Sequence, residues 1–359
     1  MTGRRASLPH PTRPQPNGRA SPKRARVDFP IVALGASAGG LDAFKKVFQA
    51  LPANSGMAFV LIQHLDPTHE SLMVDLLTGH TPMKVLQATD RMQLARDRVY
   101  LIPPGAYLAI EDGTLRLSKP LERHGARMPF DFFLRSLAEE CGERAICAIL
   151  SGTGTDGSLG LKAVKEKGGL VIVQDPDEAA FDGMPRSAIM SGGADLVLTL
   201  AKIPQALLRY GRQTYVNAGP TDVRSPDTVQ EAFAGIIDLL AAKTPHDFSL
   251  YKQGTLQRRI ERRMAMAGIE NGAGYLQVLR EDSGERELLT KDLLINVTHF
   301  FRDPVAFKLL GEQIIPELVQ RQMLDRPLRI WVPGCSNVED AYSIGMIFIE
   351  VFYFGIRYI

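Results

Sequence analysis

Ser37, His64 and Asp156 are the side chains in this sequence whose types and placement suit a proton relay. A serine hydroxyl is a poor nucleophile until a neutral imidazole accepts its proton, and that imidazole needs a carboxylate to set its tautomer and steady the imidazolium. Ser37 lies in Gly35-Ala36-Ser37-Ala38-Gly39-Gly40. Gly-x-Ser-x-Gly at a strand-to-helix turn lifts a hydroxyl out of the fold, near helix-end N–H groups that can hold an oxyanion. His64 follows an apolar run, and Asp156 sits in Ser151-Gly152-Thr153-Gly154-Thr155-Asp156-Gly157. Each has a plainer reading. His64 can simply cap a buried strand, Asp156 can be an Asx-turn or N-cap residue for a helix beginning near Leu159, and the glycines can serve packing or phosphate binding. Asp66, Asp175 and Asp182 are rival carboxylates that spacing does not separate from Asp156. His69 and His80 read as helix-surface residues, and His124 lies in a charged loop where it can contact substrate.

The elements that must position these groups follow from periodicity. Ile31-Val32-Ala33-Leu34 is a short apolar run, rich in β-branched residues, that reads as a strand covered on both faces. Leu41, Phe44, Val47, Phe48 and Leu51 then recur at helical spacing. Ala58 to Ile62 is a second buried strand ending at Gln63-His64, and Glu70 to Gly79 reads as a helix. Val99 to Ile102, Tyr107 to Ile110 and Thr114 to Leu117 are short strands with intervening turns, expected as hairpins in or beside the sheet. Phe130 to Cys141 and Leu159 to Lys167 are helical; Ala145 to Leu150 and Leu170 to Val173 are strands. The alternation predicts an α/β fold, a mostly parallel doubly wound sheet, and in such sheets functional groups gather at the carboxyl ends of the strands.

A chain of 359 residues has room for about two domains. Three cysteines, Cys141, Cys147 and Cys335, form no metal-ligand or disulfide spacing, which points to a reducing cytoplasm and no metal. The net charge of +2 is uneven: residues 1–26 carry six Arg, one Lys and no acid, leaving the remainder at −5. That excludes a generally basic, nucleic-acid-binding protein. Residues 1–29 read as a disordered basic tail, 30–211 as the catalytic α/β unit, and 212–229 as a linker rich in turn formers. Residues 230–322 read as helical, and 323–359 begin a further sheet with the strand Leu328 to Val332. The apolar stretch Ile344 to Ile359 is too short and too charged for a membrane span.

Residues 31 to about 211 resemble the catalytic domain of bacterial chemotaxis protein-glutamate methylesterases. The landmarks are the Gly35 to Gly40 run, Gln63-His64, the Ser151 to Gly157 run and Met184-Pro185-Arg186-Ser187-Ala188. The resemblance implies a triad of Ser37, His64 and Asp156, and substrates that are glutamyl γ-methyl esters on cytoplasmic helices of chemoreceptors, with glutamine deamidation as a related activity. It places the oxyanion hole at backbone N–H groups near Ala38 and Thr153, where Thr153 replaces a common methionine. Family members commonly carry a receiver domain before the esterase. Here only the tail precedes it, so regulation by aspartyl phosphorylation within this chain is not expected.

Tyr251 to Met264, the Asn296 to Pro304 block and Trp331-Val332-Pro333-Gly334-Cys335-Ser336 resemble the start of chemotaxis receptor methyltransferases. That resemblance implies S-adenosylmethionine as cofactor, with Asn296, Thr298, Arg302 and Glu339 at matching positions. The family's glycine turn is altered, because Val338 replaces a glycine and a β-branched residue resists positive φ. The sheet reads as truncated, so no methyltransferase activity is expected, and the esterase itself needs no cofactor. At helical spacing Arg258, Arg259, Arg262 and Arg263 form a basic face beside the Leu256, Ile260, Met264 stripe. That face suits an acidic receptor helix or plain solvent. The leading expectation is therefore a cytoplasmic serine esterase acting on methylated receptors, without an integral membrane segment. The rivals are a non-catalytic receptor-binding module and a phosphate-binding loop, the latter lacking the Lys-Ser/Thr ending of a P-loop.

Overall fold

The computed structural model describes residues 27–63, 72–119, 128–212, 229–294, 300–321, 328–335 and 338–354. Its first unit is built on a seven-stranded sheet. The strands are β1 (Ile31–Ala36), β2 (Ala58–Gln63), β3 (Lys84–Gln87), β5 (Arg98–Leu101), β8 (Ala145–Ile149), β9 (Leu170–Gln174) and β10 (Leu196–Leu198). They run in the order β10-β9-β8-β1-β2-β5-β3, and every pairing is parallel.

Side chains of β1 alternate between two layers. Val32 and Leu34 enter one core with Phe44, Val47 and Phe48 of helix α1 (Gly40–Gln49). Ile31 and Ala33 enter the other with Phe130, Phe133 and Leu137 of helix α3 (Pro129–Cys141). Both faces of the strand are dry, which is why it lacks the alternation of a half-solvated strand. Helices α2 (Met73–Thr78), α4 (Gly160–Glu166), α5 (Gly183–Met190) and α6 (Ile203–Gly211) complete the cover.

A separate antiparallel sheet holds β4 (Met92–Gln93), β7 (Thr114–Ser118) and β6 (Tyr107–Glu111) in that order. The expected hairpin is thus β6–β7, whereas β5, which covers most of the predicted strand at 99–102, lies inside the parallel sheet between β2 and β3. Its Val99, Tyr100 and Leu101 are buried, so burial and not chain proximity decided its partner. Val27 and Phe29, placed by sequence in the basic tail, are buried in the α3-side core, so the described domain starts before residue 30.

A helical unit follows, with α7 (Gln230–Lys243), α8 (Gln253–Ala267), α9 (Gly272–Glu281) and α10 (Ser283–Leu293) around a core of Ile236, Leu240, Leu256, Ile260, Tyr275 and Leu289. Beyond it lie α11 (Pro304–Leu309), a π-helical turn (Leu310–Ile314), α12 (Ile315–Arg321) and α13 (Glu339–Phe354). The expected strand at 328–332 is not formed, and Trp331 is 86% exposed. A strand needs a neighbour for its N–H and C=O groups, and none of the described residues supplies one. Among the described residues no helix is long and apolar enough to cross a membrane.

Candidate functional site

The sheet order reverses between β1 and β8: the chain moves from β1 toward β2, β5 and β3, then returns to lay down β8, β9 and β10 on the other side. Loops leaving the carboxyl ends of two such strands diverge and open a crevice. Ser37 leaves β1 at that crevice, and the Ser151 to Asp156 loop leaves β8.

Three contacts set the turn at Ser37. Gly39 adopts φ 74°, a left-handed conformation that lets the chain turn from strand to helix, and Gly40 N donates to Ser37 O at 3.0 Å. Ser37 N donates to Ser151 O at 3.0 Å, tying the turn to the neighbouring loop. Gly152 packs so closely that a Cβ there would lie 2.9 Å from Ser37 N and 3.0 Å from Ser37 Cβ.

Ser151 was present in the sequence motif but carried no assigned role. It is 1% exposed; its hydroxyl donates to Ala38 O at 2.9 Å and accepts from Phe181 N at 3.0 Å. Its own N–H donates to Gln174 Oε1 at 2.8 Å. Ser151 therefore joins the loops after β1, β8 and β9. The only sequence signal was a polar residue directly after a buried strand.

Asp156 is 2% exposed, and its carboxylate receives the first free N–H groups of α3, Phe130 N to Oδ2 at 3.0 Å and Asp131 N to Oδ1 at 2.9 Å. Charge-assisted bonds to helix-end amides hold an ionised carboxylate in place and compensate its burial. The N-cap reading thus applies to α3, a helix earlier in the chain, and not to α4. Asp131 was missed by sequence reading. It is 4% exposed, and its Oδ1 accepts from Leu159 N at 3.0 Å and Gly160 N at 2.6 Å. Burial pushes its carboxyl above the usual range against those amide bonds, and the charge of Asp156 pushes it further.

The rival carboxylates have other partners. Asp175 accepts from Asp177 N within its own turn. Asp182 is exposed and pairs with Arg186 at 2.5 Å, which holds its carboxyl below the usual range. Asp66, His69 and His124 lie outside the described residues, and His80 bonds Gln49 at 2.7 Å on the surface. His64 also lies outside the described residues; the strand leading to it ends at Gln63, in register with Ala36 beside Ser37.

The N–H groups of Ala38 and Thr153 have no hydrogen-bond acceptor among the described residues. They follow Ser37 and Gly152 directly in the chain. A groove of about 440 Å³ starts at Thr153 and Gly154 and runs along Ala179, Ala180, Phe181, Asp182 and Gly183. Phe181 borders the turn at Ser37, its ring 3.3 Å from where a Gly39 Cβ would sit. A cleft of about 460 Å³ lies at the opposite, amino edge of the sheet, between α4, the Ser191 to Asp195 turn and α10. It shares no residue with the Ser37 crevice.

Of the positions assigned to S-adenosylmethionine, Arg302 and Glu339 are among the described residues. Asn296 and Thr298 lie outside the described residues, Arg302 is exposed, and the strand that should precede the glycine turn is absent. Glu339 has one buried carboxylate oxygen without a hydrogen-bond partner among the described residues, and Val338 beside it is 59% exposed. Among the described residues, the exposed Arg302 and the unpaired 328–332 segment do not form a closed cofactor site.

Three family models match successive parts of the chain. The family described as CheB methylesterase matches residues 32–207; CheR methyltransferase, all-alpha domain, matches 231–294; and CheR methyltransferase, SAM binding domain, matches 296–358. An uncharacterized 104.1 kDa protein of Rhodobacter capsulatus is 39% identical over 78% of this chain, which spans 31% of that relative. A putative protein-glutamate methylesterase/protein-glutamine glutaminase of Leptospira interrogans is 33% identical over 51% of this chain and 95% of its own length. The crystal structure of the Thermotoga maritima CheB methylesterase catalytic domain is 33% identical, covering 51% of this chain and 98% of that one, with a TM-score of 0.48. Through its first unit, matched along nearly the whole of the Leptospira relative, the chain belongs to the CheB methylesterase family, and CheR-type regions follow it.

Proposed function

We propose that this chain is a serine hydrolase that removes methyl esters from glutamate side chains of chemoreceptors and deamidates glutamines at such sites, working in the cytoplasm. The observation that carries the reading is the seating of Asp156 on the N–H pair of α3, in a loop whose start packs directly against Ser37. Ser37 attacks the ester carbonyl while His64 takes its proton; the C–O bond to methanol breaks as His64 returns that proton to the leaving oxygen. Water, deprotonated by the same imidazole, then releases glutamate from the acyl-enzyme. Asp156 orients His64, and the Ala38 and Thr153 N–H groups hold the oxyanion. The groove past Phe181 takes the receptor chain on either side of the esterified residue.

No methyl transfer is assigned to the CheR-type regions. The test is methanol release from methylated receptor by the native chain and by Ser37→Ala. Release is expected to fall by a factor of about 10³ or more, and equal release by both would end the serine mechanism. The native rate is expected to decline in acid with a midpoint near 6.5, about the value of an unperturbed imidazole.

A further inference from the structure

We propose that Asp131 is a positioning residue for Asp156: by tying the start of α4 to the first turn of α3, it keeps the proposed triad carboxylate seated on its two amides. The inference rests on the esterase reading for its catalytic consequence, but its geometry stands apart from it.

Asp156 and Asp131 exchange helix ends. Asp156, just before α4, receives Phe130 N and Asp131 N at the start of α3; Asp131, in the first turn of α3, receives Leu159 N and Gly160 N at the start of α4. Neither helix has a side-chain cap from its own N-cap residue, Met128 or Leu159. The pair therefore satisfies amides that each helix leaves open. Gly157 is at φ +97°, and Gly160 lies so close to α3 that a Cβ would come within 2.9 Å of Asp131 O and 3.0 Å of its Cα. With the Asp131 acceptor gone, Gly160 N becomes a buried donor that has lost its acceptor, and Leu159 N, at an exposed residue, loses the same tie to α3. The loop must then shift to find others, and Asp156 shifts with it.

The cost of keeping an acid at this position supports a specific use. Among the described residues Asp131 Oδ2 is buried without a partner at full hydrogen-bond geometry, with the Gly157 N–H nearby and a second buried carboxylate close to it. Packing alone would be served by an apolar side chain there. The bonds at Oδ1 are what an apolar residue cannot make.

The experiment compares Asp131→Ala, which removes the acceptor, with Asp131→Asn, which keeps an amide oxygen in its place. Each is made in the native chain and in Asp156→Asn. A carboxylate displaced by about an ångström predicts a kcat loss of roughly 10²-fold for Asp131→Ala with KM nearly unchanged, and recovery to within about threefold in Asp131→Asn. In Asp156→Asn the further loss should vanish, because the residue acts through the group already removed. Hydrogen exchange at the Phe130 amide supplies a reading that needs no substrate. Its protection should fall about tenfold or more in Asp131→Ala and persist in Asp131→Asn.

Unchanged kcat in Asp131→Ala, an equal loss in the Asp156→Asn background, or unchanged Phe130 protection would each overturn the proposal. If Asp131→Ala does not fold, Asp131→Asn decides alone, and a fall in either its kcat or its Phe130 protection overturns it. A native chain that releases no methanol would remove the esterase reading while leaving the exchange result to judge Asp131.

Discussion

At the scale of single residues, three acids show how position changes chemistry. Asp182 is held by an exposed arginine, Asp156 by two helix-end amides, and Asp131 by two more with one oxygen left unpaired. Burial raises the Asp131 carboxyl, so the folded chain binds its proton more tightly than the unfolded chain, where the value is about 3.9. Its stabilising contribution is complete below the unfolded value and is lost as pH rises through the folded one. The melting temperature of Asp131→Asn relative to the native chain should therefore climb as pH is raised from about 3.5 to 6. Calorimetry across that range checks the sign, and a difference independent of pH would mean that Asp131 ionises like an exposed acid. Sequence singled out Ser37 and Asp156 because serine and aspartate in glycine-rich loops after apolar runs are recognisable. Asp131 was hidden because an acid in the first turn of a helix is ordinary, and only the approach of α4 makes it special.

At the scale of elements, the crevice depends on how closely the loop after β8 approaches the turn after β1. Gly152 sets that approach: a Cβ would lie 2.3 Å from Met184 Sδ and 2.9 Å from the Ser37 backbone nitrogen. The methionine sulfur can move, but the backbone that positions Ser37 cannot do so without displacing the hydroxyl. Gly152→Ala should thus lose about 10²-fold in kcat, with a destabilisation of about 1–3 kcal/mol. Methanol-release kinetics beside a urea titration separate the two effects. Activity within a factor of two of native would show that the loop tolerates the added methyl.

At the scale of the whole molecule, helix α8 belongs to two cores. Leu256, Ile260 and Met264 face the helical unit, while Ala265 and Met266 join the core of the esterase sheet. Of the arginines expected to form a basic docking face, Arg258 is exposed but Arg259, Arg262 and Arg263 are buried. Arg263 pairs with Glu285 of α10. Arg262 is fully buried: it donates to Gly169 O at 2.8 and 3.0 Å, to Asp292 of α10 at 2.6 Å, and to Asp195 just before β10. Lys165 adds a second cation to Asp195 at 3.0 Å. The acidic partners of the buried arginines are thus in the chain itself, at the amino edge of the sheet, away from the Ser37 edge. Arg262→Ala would strand buried carboxylates and should cost about 3–5 kcal/mol. It should also split a joint unfolding transition into separate ones for the two units. Denaturant titration with probes in each unit measures both, and one transition at the native midpoint would refute the coupling.

The order of strands and helices, the turn after β1, and the acid in the Ser151 to Asp156 loop were legible in the chain itself, because apolar periodicity and glycine placement are local properties. So was the second unit, with its Leu256, Ile260, Met264 stripe. Which α3 amides receive Asp156, what Ser151 joins, and where the α8 arginines turn were decided only in three dimensions. Each pairs residues 22 to 113 positions apart along the chain, and no local pattern records which distant group will be left needing a partner when the layers close.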